Sequence, residues 1–396
     1  MKKILTSLLF KVFIAIVLGI VFGLYMPEWF NKIFATFNAF FGQFLSFAIP
    51  LIIMGLIMPA ISDLGKEAGK MLLLTAVIAY GSTLFSGFMT FFTASNIFPG
   101  LLAEHINSTT EIAENTKELT PFFSIEIPAV IDVMSALVLA FVIGLGLAYQ
   151  EKSTLKLVVS DFQTIIMQVI EKVIIPLLPL FILGIFASMA YSGEVFQILS
   201  VFLNIIGVIF GLHILLLLLQ YVIAGTIVKK NPVKLLLNML PAYFTALGTQ
   251  SSAATIPVTL EQAEKNGVSV KVAGFVIPLC ATIHLSGSIM KITACAMALM
   301  ILNEMPFDFM MFAGFIFMLG IAMVAAPGVP GGAIMAAIGV LQAMLGFNEE
   351  MIGLMIALYI AMDSFGTACN VTGDGAIALV VDKIAGEEAL VEKSVG

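Results

Sequence analysis

The chain runs to 396 residues, of which 60% are hydrophobic and 11% charged, and its mean hydropathy is +1.10. That leaves too little polar surface for a water-soluble protein of this length and points to an all-α polytopic membrane protein. The formal net charge of -7 comes without a basic patch, which argues against nucleic-acid binding. All 18 basic residues are lysines, so no planar arginine fork is available for a carboxylate.

Apolar segments of about 20 residues or more match what a ~30 Å hydrocarbon core asks of a helix. They lie near residues 5–26, 33–62, 70–95, 129–150, 162–192 and 196–228. Lys2 and Lys3 precede the first, but the apolar run is long and no small-residue cleavage site follows it, so it reads as a retained helix. Lysines recur in alternate connections (Lys66 and Lys70, Lys152 and Lys156, Lys229 with Lys230 and Lys234, Lys383 with Lys393), which places both termini on the cytoplasmic side. Residues 96–128, with Glu104, Glu111, Glu114, Glu118 and Glu126, form the one long polar connection and read as an outside loop. The three cysteines, Cys280, Cys295 and Cys369, sit in apolar segments without CxxC spacing and read as small buried hydrophobes.

Beyond Lys234 the pattern changes. Up to Glu261 there are too few residues for two crossings, which need about 40, yet both flanks carry cytoplasmic-type charges. The middle is the uncharged Thr249-Gln250-Ser251-Ser252 turn, so the segment reads as a re-entrant hairpin. A second hairpin is expected between Pro306 and Glu349, because no charge occurs from Phe309 to Phe347 and the centre, Pro327-Gly328-Val329-Pro330-Gly331-Gly332, cannot stay helical. Irregular backbone at membrane depth is tolerated only where it lines a cavity or is covered by protein. Each hairpin is followed by a long helix broken by polar residues, residues 269–303 around Thr282 to Ser288 and residues 350–385 around Asp363 to Asp374. Hairpin and broken helix, repeated from the opposite side, is the layout of an inverted-repeat carrier.

In the last segment Asp363, Thr367, Asn370 and Asp374 fall at i, i+4, i+7 and i+11, one stripe of a helix. An unpaired Asp at the bilayer centre costs roughly 2.5–3.5 kcal/mol on insertion scales, so the stripe should face a partner, an ion or a substrate. A carboxylate suits a substrate ammonium, an amide suits a carboxylate, and a hard cation wants oxygen ligands. For Asp363 the competing role is a buried ion pair with Lys291. The three histidines, His105, His213 and His284, are dispersed without HExxH spacing, so enzymatic chemistry is not expected.

The ordered set of Ser251-Ser252 followed by Thr255-Ile256-Pro257, then Gly328-Val329-Pro330-Gly331-Gly332, then Asn370-Val371-Thr372-Gly373-Asp374 resembles the glutamate transporter homologue family, the dicarboxylate/amino acid:cation symporters. The resemblance covers essentially the whole chain. It implies eight transmembrane helices plus two re-entrant hairpins, with an elevator-type transport domain moving in a homotrimeric scaffold in the cell (inner) membrane. Residues 1–70 would supply scaffold helices 1 and 2, and 71–128 the third, transport-domain helix with its loop. Residues 129–228 would supply scaffold helices 4 and 5 with transport-domain helix 6, and 229–396 the transport core. The second hairpin would be the extracellular gate.

The resemblance also implies roles. Asp363 would hold the substrate ammonium and Asn370 its α-carboxylate, with Ser251, Ser252, Ser288, Thr367 and tip positions Val329 and Gly332 completing the substrate shell. Sodium would be held by Asp374, Asn370 and main-chain carbonyls at Cys280 and His284, and a second sodium by Thr282 with carbonyls at Val324, Ala325 and Pro327. Departures matter as much. The family's Asn-Met-Asp-Gly-Thr signature reads His284-Leu285-Ser286-Gly287-Ser288, and the third span aligns Thr75, Ile78 and Ala79 where a third sodium draws hydroxyls, so the resemblance does not extend to that ion. His284 could instead carry a proton or be a neutral, hydrogen-bonded imidazole. The arginine that reads acidic substrates aligns with Gly366, which points to a small neutral amino acid such as serine, threonine or alanine. The alternative is an acidic amino acid or C4-dicarboxylate, with Lys291 as the replacement cation.

Overall fold

The computed structural model describes residues 8–63, 70–112, 119–150, 153–193, 195–324, 326 and 330–395. The expected tip ligands Val329, Ala325 and Pro327 lie outside the described residues. Among the described residues all regular structure is helical.

Five helices build one group: α1 (Leu8–Tyr25), α2 (Glu28–Asp63), α4 (Val133–Ala148), α5 (Thr154–Val169) and α6 (Ile175–Ser192), after α3 (Lys70–Ile112) has left it. A π-helical turn, Ile170–Ile174, joins α5 to α6 just ahead of Pro176, which has no N–H to give to the carbonyl four residues back. α1 lies along α6, and its Gly19 and Gly23, one turn apart, explain the closeness: a Cβ on Gly19 would come to 2.5 Å from the Leu183 carbonyl oxygen, and one on Gly23 would meet that of Ala187. Small residues at this spacing let helices pack in lipid, where apolar burial alone gives no preference.

The second group gathers around one long helix. It comprises α3, α7 (Val195–Val228), α8 (Pro232–Asn238), α9 (Leu240–Thr249), α10 (Ser252–Lys265), α11 (Val270–Ile283), α12 (Ser286–Leu302), α13 (Phe309–Val324), α14 (Gly332–Leu345), α15 (Glu349–Ala361) and α16 (Asp363–Val395). α16 packs against α7, α9, α10, α11 and α12, and α3 runs along α12. Every residue of α12 from Ser286 to Ile301 is buried. α14 and α15 carry contacts from this group to α1, α2, α4 and α6.

Both expected hairpins are present as packed helix pairs. The first turns at Gln250, which takes a left-handed backbone with φ of 55° at the end of α9. α14 starts after Gly331, whose φ of 76° belongs to the region that only glycine enters without a Cβ penalty. The expected break between α11 and α12 is present at His284-Leu285, and the second is a 61° bend at Met362, just ahead of the Asp363 to Asp374 stretch, which is itself continuous helix.

Among the described residues, five helical stretches are long and apolar enough to cross a membrane, 28–59, 71–102, 154–192, 202–228 and 270–302, and the bent pair α15–α16 makes a sixth. This is a multi-pass arrangement. Boundaries differ from the hydropathy reading in two places. α3 continues to Ile112, into the stretch read as a loop, because Phe98 and Leu102 still find buried positions on its inner side. The span expected at 162–192 begins at Thr154, since Val159 and Ile166 already pack inward.

Candidate functional site

The stripe on α16 is buried within the protein rather than turned to lipid or water. Asp363 is 4% exposed and Asp374 1%, and Thr367 and Asn370 between them are buried as well. What faces the stripe is the start of α12, whose Ser288 and Lys291 lie on the helix that follows the His284-Leu285 break. The two polar breaks thus meet each other.

At the Asp363 end, Lys291 Nζ lies 3.3 Å from Asp363 Oδ1 and donates to the Met362 carbonyl at 3.4 Å. The same ammonium sits 3.7 Å from the centroid of the Tyr359 ring, so a cation that is 0% exposed has a carboxylate, a carbonyl and an aromatic face around it. Asp363 Oδ2 accepts the backbone N–H of Gly331 at 2.9 Å. Space for the lysine exists because position 366 has no side chain: a Cβ there would come to 2.5 Å from Lys291 Nζ and closer still to Cε.

In the middle, Asn370 clamps the α12 start. Its Oδ1 accepts the Gly287 N–H at 2.7 Å and its Nδ2 donates to Ser288 Oγ at 3.2 Å. Ser288 Oγ is in turn 3.0 Å from the Tyr359 hydroxyl, and His213 Nε2 donates to the Gly287 carbonyl at 3.1 Å.

At the Asp374 end, His284 Nδ1 lies 2.8 Å from Asp374 Oδ1 and its Nε2 3.1 Å from Ser82 Oγ. Gln220 Nε2 donates to Ser82 Oγ at 2.9 Å. With Asp374 ionised, Nδ1 must donate, so a neutral imidazole is satisfied by a Gln220 to Ser82 to His284 to Asp374 chain of donors. Ser86 Oγ donates to the Ser286 carbonyl at 2.7 Å. Thus α3 reaches the break through Ser82 and Ser86, whereas Thr75, one of the three positions aligned there from sequence, bonds the Met71 carbonyl of its own helix. Ser82, Ser86, Gln220 and Tyr359 were not singled out from sequence. For the two serines the signal was there in their four-residue spacing, which continues to Thr90 on the same side of α3.

Both hairpins are tied to the first turn of α16. Gln250 Nε2, from the turn of the first, donates to Ser364 Oγ at 2.9 Å, and Gly331, from the second, bonds the neighbouring Asp363. Ser251 caps α10 by accepting the Ala254 N–H at 3.3 Å, and Ser252 beside it is buried. Gly332 opens α14, also buried.

The structure therefore bonds Lys291 to Asp363 and Ser288 to Asn370, two pairs that both touch Tyr359, with Thr367 on the same buried stripe. Thr282 is not brought in: it is exposed and donates to the Leu279 carbonyl of its own helix. The Cys280 carbonyl accepts the His284 N–H. Among the described residues no cluster of three or more His, Cys, Asp or Glu could hold a metal ion. A low-charge cation such as sodium asks for less. Asp374 with the buried, unpartnered amide oxygen of Gln220, which a Cβ on Gly373 would meet at 2.8 Å, offers the hard oxygen donors that sodium prefers.

A multi-pass helical protein with two hairpins tied to a buried polar centre is built as a membrane transporter rather than an enzyme. A model of the sodium:dicarboxylate symporter family matches residues 8–384, and the chain belongs to that family. It is 28% identical to the serine/threonine transporter SstT of Acinetobacter baumannii (strain ATCC 17978) over 95% of this chain and 96% of that protein. It is 26% identical to the SstT of Acinetobacter baylyi, over 95% and 97%. The excitatory amino acid transporter 3 of Oryctolagus cuniculus is 32% identical over 55% of this chain and 42% of its own length.

Proposed function

We propose that the protein is a sodium-coupled symporter that takes up a small neutral amino acid by alternating access. The observation that carries the reading is the burial of Asp363, Asn370 and Ser288 together where two helix breaks and two hairpins meet. Asp363 takes the substrate ammonium, Asn370 and Ser288 with Ser251 and Ser252 take its carboxylate and side-chain hydroxyl, and Thr367 lines the same stripe. Sodium enters at the Asp374 and Asn370 end. Likeness to two serine/threonine transporters over nearly full length supports the neutral substrate.

The wider expectations fit this reading: eight spans with two hairpins and an inner-membrane homotrimer with cytoplasmic termini. The helices grouped around α16, together with α3 and α7, would move as an elevator against the α1, α2, α4, α5 and α6 scaffold.

Uptake of radiolabelled L-serine into proteoliposomes under an imposed inward sodium gradient tests it. Accumulation driven by sodium and indifferent to an imposed pH gradient is expected. A second reading has its own observation: Lys291 fills the space left at Gly366, which would present a cation to an acidic amino acid or C4-dicarboxylate. Accumulation of L-aspartate or succinate with no serine uptake would replace the first reading by this one. Uptake driven by a pH gradient alone would move the coupling ion to a proton, with His284 on Asp374 as its carrier.

A further inference from the structure

We infer that Lys291 is a tethered stand-in for the substrate's ammonium group, keeping α14 docked on α16 during the part of the transport cycle in which no substrate ammonium reaches Asp363. The inference rests on the reading of Asp363 as the amino-group carboxylate. Three observations carry it.

The first is that Asp363 is a junction. One oxygen takes the Lys291 ammonium and the other takes the Gly331 N–H that opens α14, so the charge that holds the lysine also holds the second hairpin. A carboxylate orients both its oxygens at once, and an N–H···O⁻ bond weakens when the acceptor loses its orientation or its charge. The second is that Lys291 makes few other commitments: a long bond to the Met362 carbonyl and the face of Tyr359. A primary ammonium on a flexible stem, held by a carboxylate and an aromatic ring, has the same chemistry as an amino acid's α-ammonium and can be exchanged for it. The third is that the lysine's position is built in. The missing side chain at Gly366 leaves a slot filled by the end of Lys291, so an added Cβ would evict the ammonium without removing its charge from the protein.

A carrier whose hairpin is held by its own cation can return across the membrane without cargo, which allows net uptake rather than obligatory exchange. Lys291 acts here as a positioning residue, through Asp363.

The test measures docking of α14 without using any transport substrate. In full-length, reconstituted protein with Cys280, Cys295 and Cys369 replaced by alanine, a cysteine is placed at Ala333, buried just after the Gly331 bond, and its reaction with a maleimide is timed in amino-acid-free buffer. Lys291→Met and Gly366→Ala are each expected to speed labelling at least about tenfold, the change that a lost charge-assisted contact produces. A control cysteine at Ala298, buried on α12, stays unreactive and reports that the protein is folded. Unchanged labelling at position 333 in both folded variants overturns the inference. If Lys291→Met unfolds the protein, Gly366→Ala, which retains the charge, decides alone. Adding L-serine should slow labelling in Lys291→Met. Fast labelling that serine fails to slow would overturn the proposed substrate and leave the role of Lys291 standing.

Discussion

The two ends of the α16 stripe are built from the same idea and differ in what surrounds it. Each has a buried Asp facing a nitrogen base, Lys291 at 3.3 Å from Asp363 and His284 at 2.8 Å from Asp374. They stand eleven residues apart, about 16 Å along a helix. Asp363 ends in a joint: its second oxygen holds the backbone of the second hairpin, and its neighbour Ser364 holds the first. Asp374 ends in a wall: behind His284 lie Ser82 of α3 and Gln220 of α7, long helices that pack against α12 and α16 respectively. Charge at a joint can report whether a ligand is present. Charge in a wall can hold an ion in a fixed shape.

The largest effect should come from breaking the joint. Asp363→Ala leaves Lys291 buried without its counter-charge, an omission that costs roughly 3–5 kcal/mol in a protein interior, so uptake should fall by about 100-fold or more and thermal stability should drop. Retained uptake would show that the stripe is structural. Asp374→Asn should act differently, raising the sodium concentration for half-maximal transport about 10- to 100-fold while uptake is still recoverable at high sodium. His284→Gln, which removes the orienting partner, should give the lower end of that range. If Asp374→Asn weakens substrate and sodium alike, the two ends are one site.

A smaller effect is expected midway. Gly287→Ala would put a methyl 2.6 Å from the Gly366 carbonyl oxygen and 2.8 Å from Cys369 Cβ, forcing α12 from α16. Overpacking of this kind costs about 1–3 kcal/mol, visible as a lowered unfolding temperature. The smallest is Ser82→Ala, which removes one hydrogen bond from the wall and should cost about 0.5–1.5 kcal/mol, with serine affinity unchanged. A change in serine affinity at Ser82 would dissolve the contrast between the ends.

Much of this site was legible in the chain. The hairpins announced themselves because a charge-free run cannot be a water-exposed loop and Pro-Gly clusters cannot stay helical, and the α16 stripe did so because four polar residues in an apolar segment must face something. The pairing of Asp363 with Lys291 was one of two readings open for that carboxylate. Other parts were hidden for physical reasons. Tyr359 and Gln220 sit in segments that look uniformly apolar, and their partners come from other helices, so no spacing within one segment reveals them. α3 outruns the membrane-grade stretch because its helix is held by packing on one side, which average hydropathy does not resolve. For Thr282, expected at a second sodium, the hydroxyl donates to the Leu279 carbonyl of its own helix.

The attachment of the hairpins to consecutive residues, Ser364 and Asp363, has a mechanical corollary. Successive positions on a helix point about 100° apart, so the two hairpin turns are fastened in different directions to a single peptide unit. Both fastenings depend on how that unit is turned. A one-residue insertion after Met362, harmless in most loops, would rotate both fastenings together, and under the proposed alternating access it would jam entry from either compartment at once.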